Sequence, residues 1–251
     1  DLLLQTNAAQ PAAQAFTFQN IDANVINQGV EFALNYDVIQ KEDMNWNVGF
    51  NIAYNENEVQ DFDGLIQTGQ VNGNGLTGAY AQLLAEGQPL FSYYLREFGG
   101  FDANGISIYP NGDQQEFVGK SALPDYTLGI NTSFSYKNWD FNAFLNGQYG
   151  QYIYNNTANA FFTAGIINSG QNVTTDVLTN GESSANAPDV STRFLEKGDF
   201  LRLQNASIGY NLKLKESSMF KTLRVSITGQ NLFVITDYSG LDPEVDTPKA
   251  L

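Results

Sequence analysis

Tyr152, Tyr154, Asn155, Asn156, Phe161 and Phe162 crowd into one short, amide-rich stretch of the chain. Aromatic rings offer flat apolar faces for stacking, and amides donate to and accept from hydroxyls and peptide groups. These residues are the candidate contacts for a sugar or a peptide. They suit equally a loop folded over its own apolar cluster. Two acidic runs, Asp242-Pro-Glu-Val-Asp246 and Asp61-Phe-Asp63, carry the hard oxygen ligands that Ca²⁺ takes. Neither has EF-hand spacing, so both read as solvated acidic loops, and no metal or cofactor site is expected.

Catalysis has few means here. The 251 residues include no cysteine and no histidine. That removes thiolate nucleophiles, zinc-thiolate sites, disulfides and any Ser-His-Asp triad, together with the commonest general base. No catalytic residue is expected. A formal charge of −15 argues against nucleic acid, whose phosphates need Lys and Arg. Only 16% of residues are charged, so the polar surface is built mainly from amides and hydroxyls.

The elements that must position these residues are strands. From Trp46 to Tyr54 every second residue is apolar (Trp46, Val48, Phe50, Ile52, Tyr54), and those between are small or polar. Successive side chains of a strand point to opposite faces, so one face is greasy and the other wet. The pattern recurs at Tyr126, Leu128, Ile130, Thr132, Phe134 and Tyr136. Long strands are expected near 28–39, 45–56, 125–136, 139–150, 200–212 and 222–235, each well above the usual five or six residues. Short turns join them in pairs. Long polar segments, 57–124 and 151–199, lie between the pairs. No apolar run approaches the ~20 residues of a helical membrane span. The start at Asp1 has neither an initiator Met nor a signal peptide, which reads as a piece of something longer.

Short turns at one end and long loops at the other are the mark of an antiparallel transmembrane β-barrel. Trp46, Trp139, Tyr36, Tyr136 and Tyr210 gather near one end of the strands, and Tyr54, Tyr126 and Tyr149 near the other, as two interfacial girdles would require. The competing architecture is a soluble or surface β-rich sandwich or adhesin, which also alternates. In the barrel reading Asn47, Asn51, Asn131, Asn142, Asn146 and Gln148 face the lumen, as a hydrated wall or as substrate contacts. Arg202 is expected to pair with a lumen carboxylate. Alternation slips near Gln204-Asn205 and again after Ile227, where a bulge, or emergence of the strand above the membrane, is expected. Segment 90–110 reads as two short strands or a folded loop.

Several stretches resemble one family, the SusC/RagA-type TonB-dependent outer-membrane transporters of Bacteroidota. They are Asp1–Leu4; Asn27-Gln-Gly-Val-Glu31; Trp46–Asn55 with Asn57-Glu-Val59; Gly87-Gln-Pro89; and Gly119 through Pro124. Further on come Gly198-Asp-Phe-Leu-Arg-Leu203, with Phe200 at a usual Tyr, then Leu223-Arg-Val225, Gly229-Gln-Asn-Leu-Phe233 and Gly240-Leu-Asp-Pro-Glu-Val245. They fall in family order from end to end. The resemblance implies roughly the last third of the strands of a large plugged barrel, with the signal peptide, TonB box, plug and final strand outside this chain. It implies import of oligosaccharides or oligopeptides across the outer membrane of a Gram-negative bacterium. The implied partners are a SusD-like lipoprotein lid, the TonB–ExbB–ExbD energising complex, outer-membrane lipid and a glycan or peptide substrate. The outward loops lack clustered Lys or Arg, so a neutral or weakly charged oligomer is expected.

Overall fold

The computed structural model describes residues 2–7, 11, 13–14, 16–21, 23–73, 76–187, 189–214 and 222–245. In chain order the strands are β1 (Leu2–Asn7), β2 (Phe16–Ile21), β3 (Asn24–Lys41), β4 (Met44–Gln60), β5 (Ile66–Gln70), β6 (Tyr80–Leu84) and β7 (Ser92–Leu95). They continue as β8 (Glu116–Ser121), β9 (Tyr126–Tyr136), β10 (Trp139–Tyr149), β11 (Tyr152–Tyr154), β12 (Leu195–Lys197), β13 (Phe200–Lys213) and β14 (Thr222–Thr236). Two short helices, α1 (Asn156–Phe161) and α2 (Ala164–Ile167), lie between β11 and β12. β1 and β2 form a hairpin of their own.

One six-stranded sheet, in the order β14-β13-β10-β9-β4-β3, organises the molecule. Every neighbouring pair is antiparallel. Its two faces follow the alternation. Trp46 stands opposite Phe134, Phe50 opposite Ile130 and Ile52 opposite Leu128 on one face; Asn47 stands opposite Ser133 on the other. The apolar face is bare, with Val30 73% and Ile227 75% exposed. A sandwich would cover this face with a second sheet ≈ 10 Å away. Rings cluster near both strand ends: Trp139 meets Tyr210 at 4.7 Å between centroids, and Tyr54 meets Tyr126 at 5.1 Å.

Both slips in alternation resolve at one place. Along β10 the register steps past Gln204, so that Phe144 faces Asn205 while Leu145 faces Leu203. Across β13 and β14, Leu203 faces Phe233 but Asn205 faces Gln230. Asn231 takes up the offset in the left-handed region, at φ 49°. A bulge of this kind restores Ala206, Ile208 and Tyr210 to the apolar face that Leu201 and Leu203 occupy.

The long connections fold instead of trailing. β5-β6-β7-β8 form a separate four-stranded sheet, and β11 pairs with β12. Segment 90–110 adds nothing to the large sheet, because β4 pairs directly with β9. It supplies β7 and a small closure in which Phe101 bridges Ser107. The two connections share one core: Val71, Leu76, Ala81, Tyr93, Leu95 and Ala122 from the first meet Tyr154, Val190 and Phe194 from the second. Backbone bonds seal the join, with Arg96 N–H donating to Val190 O at 3.2 Å and Thr192 N–H to Arg96 O at 2.9 Å. The result is a loop body seated at one end of a two-faced wall.

Candidate functional site

The loop residues singled out by sequence take different positions. Tyr154 is 2% exposed and belongs to the shared core, against Phe194. Asn155 is buried and caps α1: its Oδ1 accepts from Ala158 N–H at 3.0 Å, and its Nδ2 donates to Glu196 Oε1 at 2.9 Å and Ser239 Oγ at 3.2 Å. Asn156 is buried, and its Oδ1 accepts from Asn72 N–H at 3.3 Å. Tyr152 is half-buried, with the Lys120 ammonium 4.8 Å from its ring centre. Phe161 is exposed, and Phe162 is half-buried at the end of α1. The sequence thus brings Asn155 and Phe162 to one opening, a cleft of about 540 Å³ that also takes in Thr174, Asp176, Phe194 and Leu241. Its mix of rings, hydroxyls and amides, with the carboxylates of Asp176 and Glu196 and the Arg193 guanidinium, suits a hydroxyl-rich or peptide ligand.

Beneath this cleft is an ion pair that sequence reasoning missed. Arg193 grips Glu182 through two bonds of 2.6 and 2.7 Å. The Glu182 side chain is closed to solvent. Phe98, Phe101 and Phe194 surround the guanidinium, at 5.7, 4.9 and 4.7 Å from it to the ring centres. Burial pushes the Glu182 carboxyl up. The bonds from Arg193, Asn186 and Ala164 N–H outweigh that and hold it below its ordinary value. No local motif signals a pairing between residues from two turns of an irregular segment.

The wet face of the wall carries its own order. Asn47 Nδ2 donates to Asn35 Oδ1 at 2.7 Å and Asp37 Oδ1 at 2.9 Å. Asn131 lies over Gly49, where a Cβ would sit 1.9 Å from its Oδ1, and Asn51 lies over Gly129, where a Cβ would sit 2.3 Å from its Oδ1. Each amide therefore fills the gap its cross-strand glycine leaves. Asn142, Asn146 and Gln148 occupy alternate positions of β10 on this same face. Arg202, also on it, is buried and binds Asp242 at 2.5 Å and Glu244 at 3.1 Å. Those two carboxylates thereby have a cation already; Asp246 lies outside the described residues. Asp61 accepts from Asn24 Nδ2 at 2.7 Å. Among the described residues no group of three acidic side chains is placed to hold a metal.

No family model matches the chain. It is 30% identical to TonB-dependent receptor P3 of Formosa agariphila, over 98% of the chain and 28% of that protein. It is 29% identical to TonB-dependent receptor SusC of Bacteroides thetaiotaomicron, over 90% of the chain and 25% of that protein. Among solved structures, the RagAB peptide importer in its open-open state matches with a TM-score of 0.80 at 21% identity, over 99% of the chain and 29% of the matched chain. The chain spans less than a third of the length of the relatives it matches. The fold of the large sheet is accordingly that of a TonB-dependent receptor barrel wall.

Proposed function

We propose that this chain, which belongs to the SusC/RagA-type family of TonB-dependent receptors, supplies wall and outer loops of an importer of oligosaccharides or oligopeptides in the outer membrane. The observation that carries the reading is the pairing of a bare apolar face with a polar opposite face on strands long enough to cross. About 11 residues at ~3.3 Å each, tilted ~40°, span roughly the ~25 Å apolar band. Lipid takes Phe32, Phe50 and Ile130, while water and substrate meet Asn47, Asn51, Asn131, Asn142, Asn146 and Gln148.

In this reading the long connections 57–124 and 151–199 face the cell exterior. Their shared core makes them one rigid body at the entrance, and the cleft beside Phe162 and Leu241 receives the oligomer. A SusD-like lipoprotein would close over this body, and TonB–ExbB–ExbD would act through segments outside this chain. Support comes from the relatives named as TonB-dependent receptors and from a structural neighbour described as a peptide importer. The test is uptake in cells that carry the full-length protein with residues 151–198 deleted in frame. The barrel should still assemble, with TonB-dependent uptake or lid binding weakened. Uptake and lid binding both unchanged would place recognition elsewhere.

A further inference from the structure

A second opening lies where the loop body meets the wall, a cleft of about 370 Å³ at the ends of β8, β10 and β12. Two carboxylates converge on it around Gly150. Asp199 Oδ1 accepts the Gly150 N–H at 2.7 Å, and a Cβ on Gly150 would lie 2.4 Å from Asp125 Oδ2. Gly150 itself has a left-handed backbone, φ 93°, which favours glycine there and keeps that space open for the carboxylates. Two ammonium groups line the same cleft. Lys120 stands over the Tyr152 ring, and Lys197, the direct cross-strand partner of Tyr152, lines the same cleft.

These four charges have not neutralised one another. Among the described residues neither lysine lies within salt-bridge distance of a carboxylate. The Asp125 carboxylate accepts no hydrogen bond from a described residue. Its carboxyl is pushed above the ordinary value by burial, then by Asp199 and Glu56, with Lys120 pulling the other way. Opposite charges that share a cleft but stay apart leave each sign short of a partner, and a ligand carrying both signs would supply both.

We propose that this cleft, if the importer reading above holds, recognises a zwitterion: the free ammonium end of a short peptide at Asp125 and Asp199, and a carboxylate at Lys120 and Lys197. Tyr152 offers its ring between them. A peptide with free termini has no net charge, so the −15 chain does not repel it at long range. A neutral glycan leaves all four charges unmet, and an anionic glycan meets the carboxylates.

The test uses the full-length transporter, purified in detergent, with calorimetric titration of trialanine, N-acetyl-trialanine amide and maltotriose. The native protein should bind trialanine in preference to the blocked peptide and the sugar. Asp125→Asn and Lys120→Gln should each weaken trialanine about fivefold, as lost exposed charge pairs do, and leave the blocked peptide unchanged. Heat-modifiable migration in gels would certify that each variant barrel is assembled. Failure of the native protein to bind trialanine, equal affinity for blocked and free peptide, or no effect of either variant would overturn the inference. TonB-dependent uptake of maltotriose or blocked peptide in those same cases would leave the importer reading standing; absence of uptake of every oligomer tried would count against that reading instead.

Discussion

Asparagine serves opposite ends in the wall and in the loop body. Asn51, on the wall, is exposed and rests over a glycine across the strand. Asn155, in the loop body, is 3% exposed and spends its side chain on a helix cap, Glu196 and Ser239. Apolar residues divide the same way. Val30 and Ile227 stand bare on the wall, while Leu95, Val71 and Tyr154 are sealed in the loop body. The wall needs a solvent outside itself for its apolar face, and the backbone groups of its four inner strands are satisfied in the sheet, as lipid demands. The loop body makes its own core and must satisfy buried polar groups from within. The two regions should therefore fail under different insults.

The sharpest separation comes from the caged ion pair. Glu182→Gln removes one partner of a buried pair and should cost about 3–5 kcal/mol, because Arg193 is left uncompensated. That loss should appear as faster hydrogen exchange across 154–194 and 93–107, with β9 and β10 unchanged. Equal loosening of wall and loop body would break the comparison. On the wall, Phe50→Arg should cost ~2–4 kcal/mol in refolding of the full-length protein into bilayers, and Asn51→Ser little. Similar penalties at the two sites would reject the assignment of faces.

A smaller effect belongs to the interlocked amides. Gly49→Ala places a methyl where Asn131 rests, and Asn131→Ala should relieve it. The double-mutant cycle should show coupling of about 0.5–1 kcal/mol, and additive effects would deny the interlock. Acid should act on the loop body before the wall. Glu182 has a folded-state value held below the ordinary 4.5. The unfolded state therefore binds its proton first as pH falls, so the pair's contribution is complete above about pH 4.5 and is lost as pH drops through the lowered value. Protection in 154–194, measured from pH 6 down against the intrinsic exchange rate at each pH, should fall in that window, and constant protection would contradict it.

The wall was legible because alternation is a local signal: Trp46 through Tyr54 state both faces within one strand. The large-sheet fold class and the family resemblance followed from that and from motifs in order. The loop body was opaque for the opposite reason. Tyr154 and Val71, or Glu182 and Arg193, meet only once two connections have folded together, and no spacing announces them. Tyr152 shows the middle case. It was visible as an aromatic candidate, but Lys120 and Lys197, which define its surroundings, come from separate strands.

In the proposed barrel one face of the large sheet meets lipid and the other water. These 251 residues hold no cysteine, so in the full-length protein, with any cysteine elsewhere replaced, single cysteines placed in turn at positions 46 to 55 can carry a spin label in bilayers. Collision with oxygen, which concentrates in lipid, should peak at 46, 48, 50 and 52. Collision with a water-soluble nickel chelate should peak at 47, 49 and 51. A profile with no two-residue period, or with the chelate reaching both faces equally, would contradict the account.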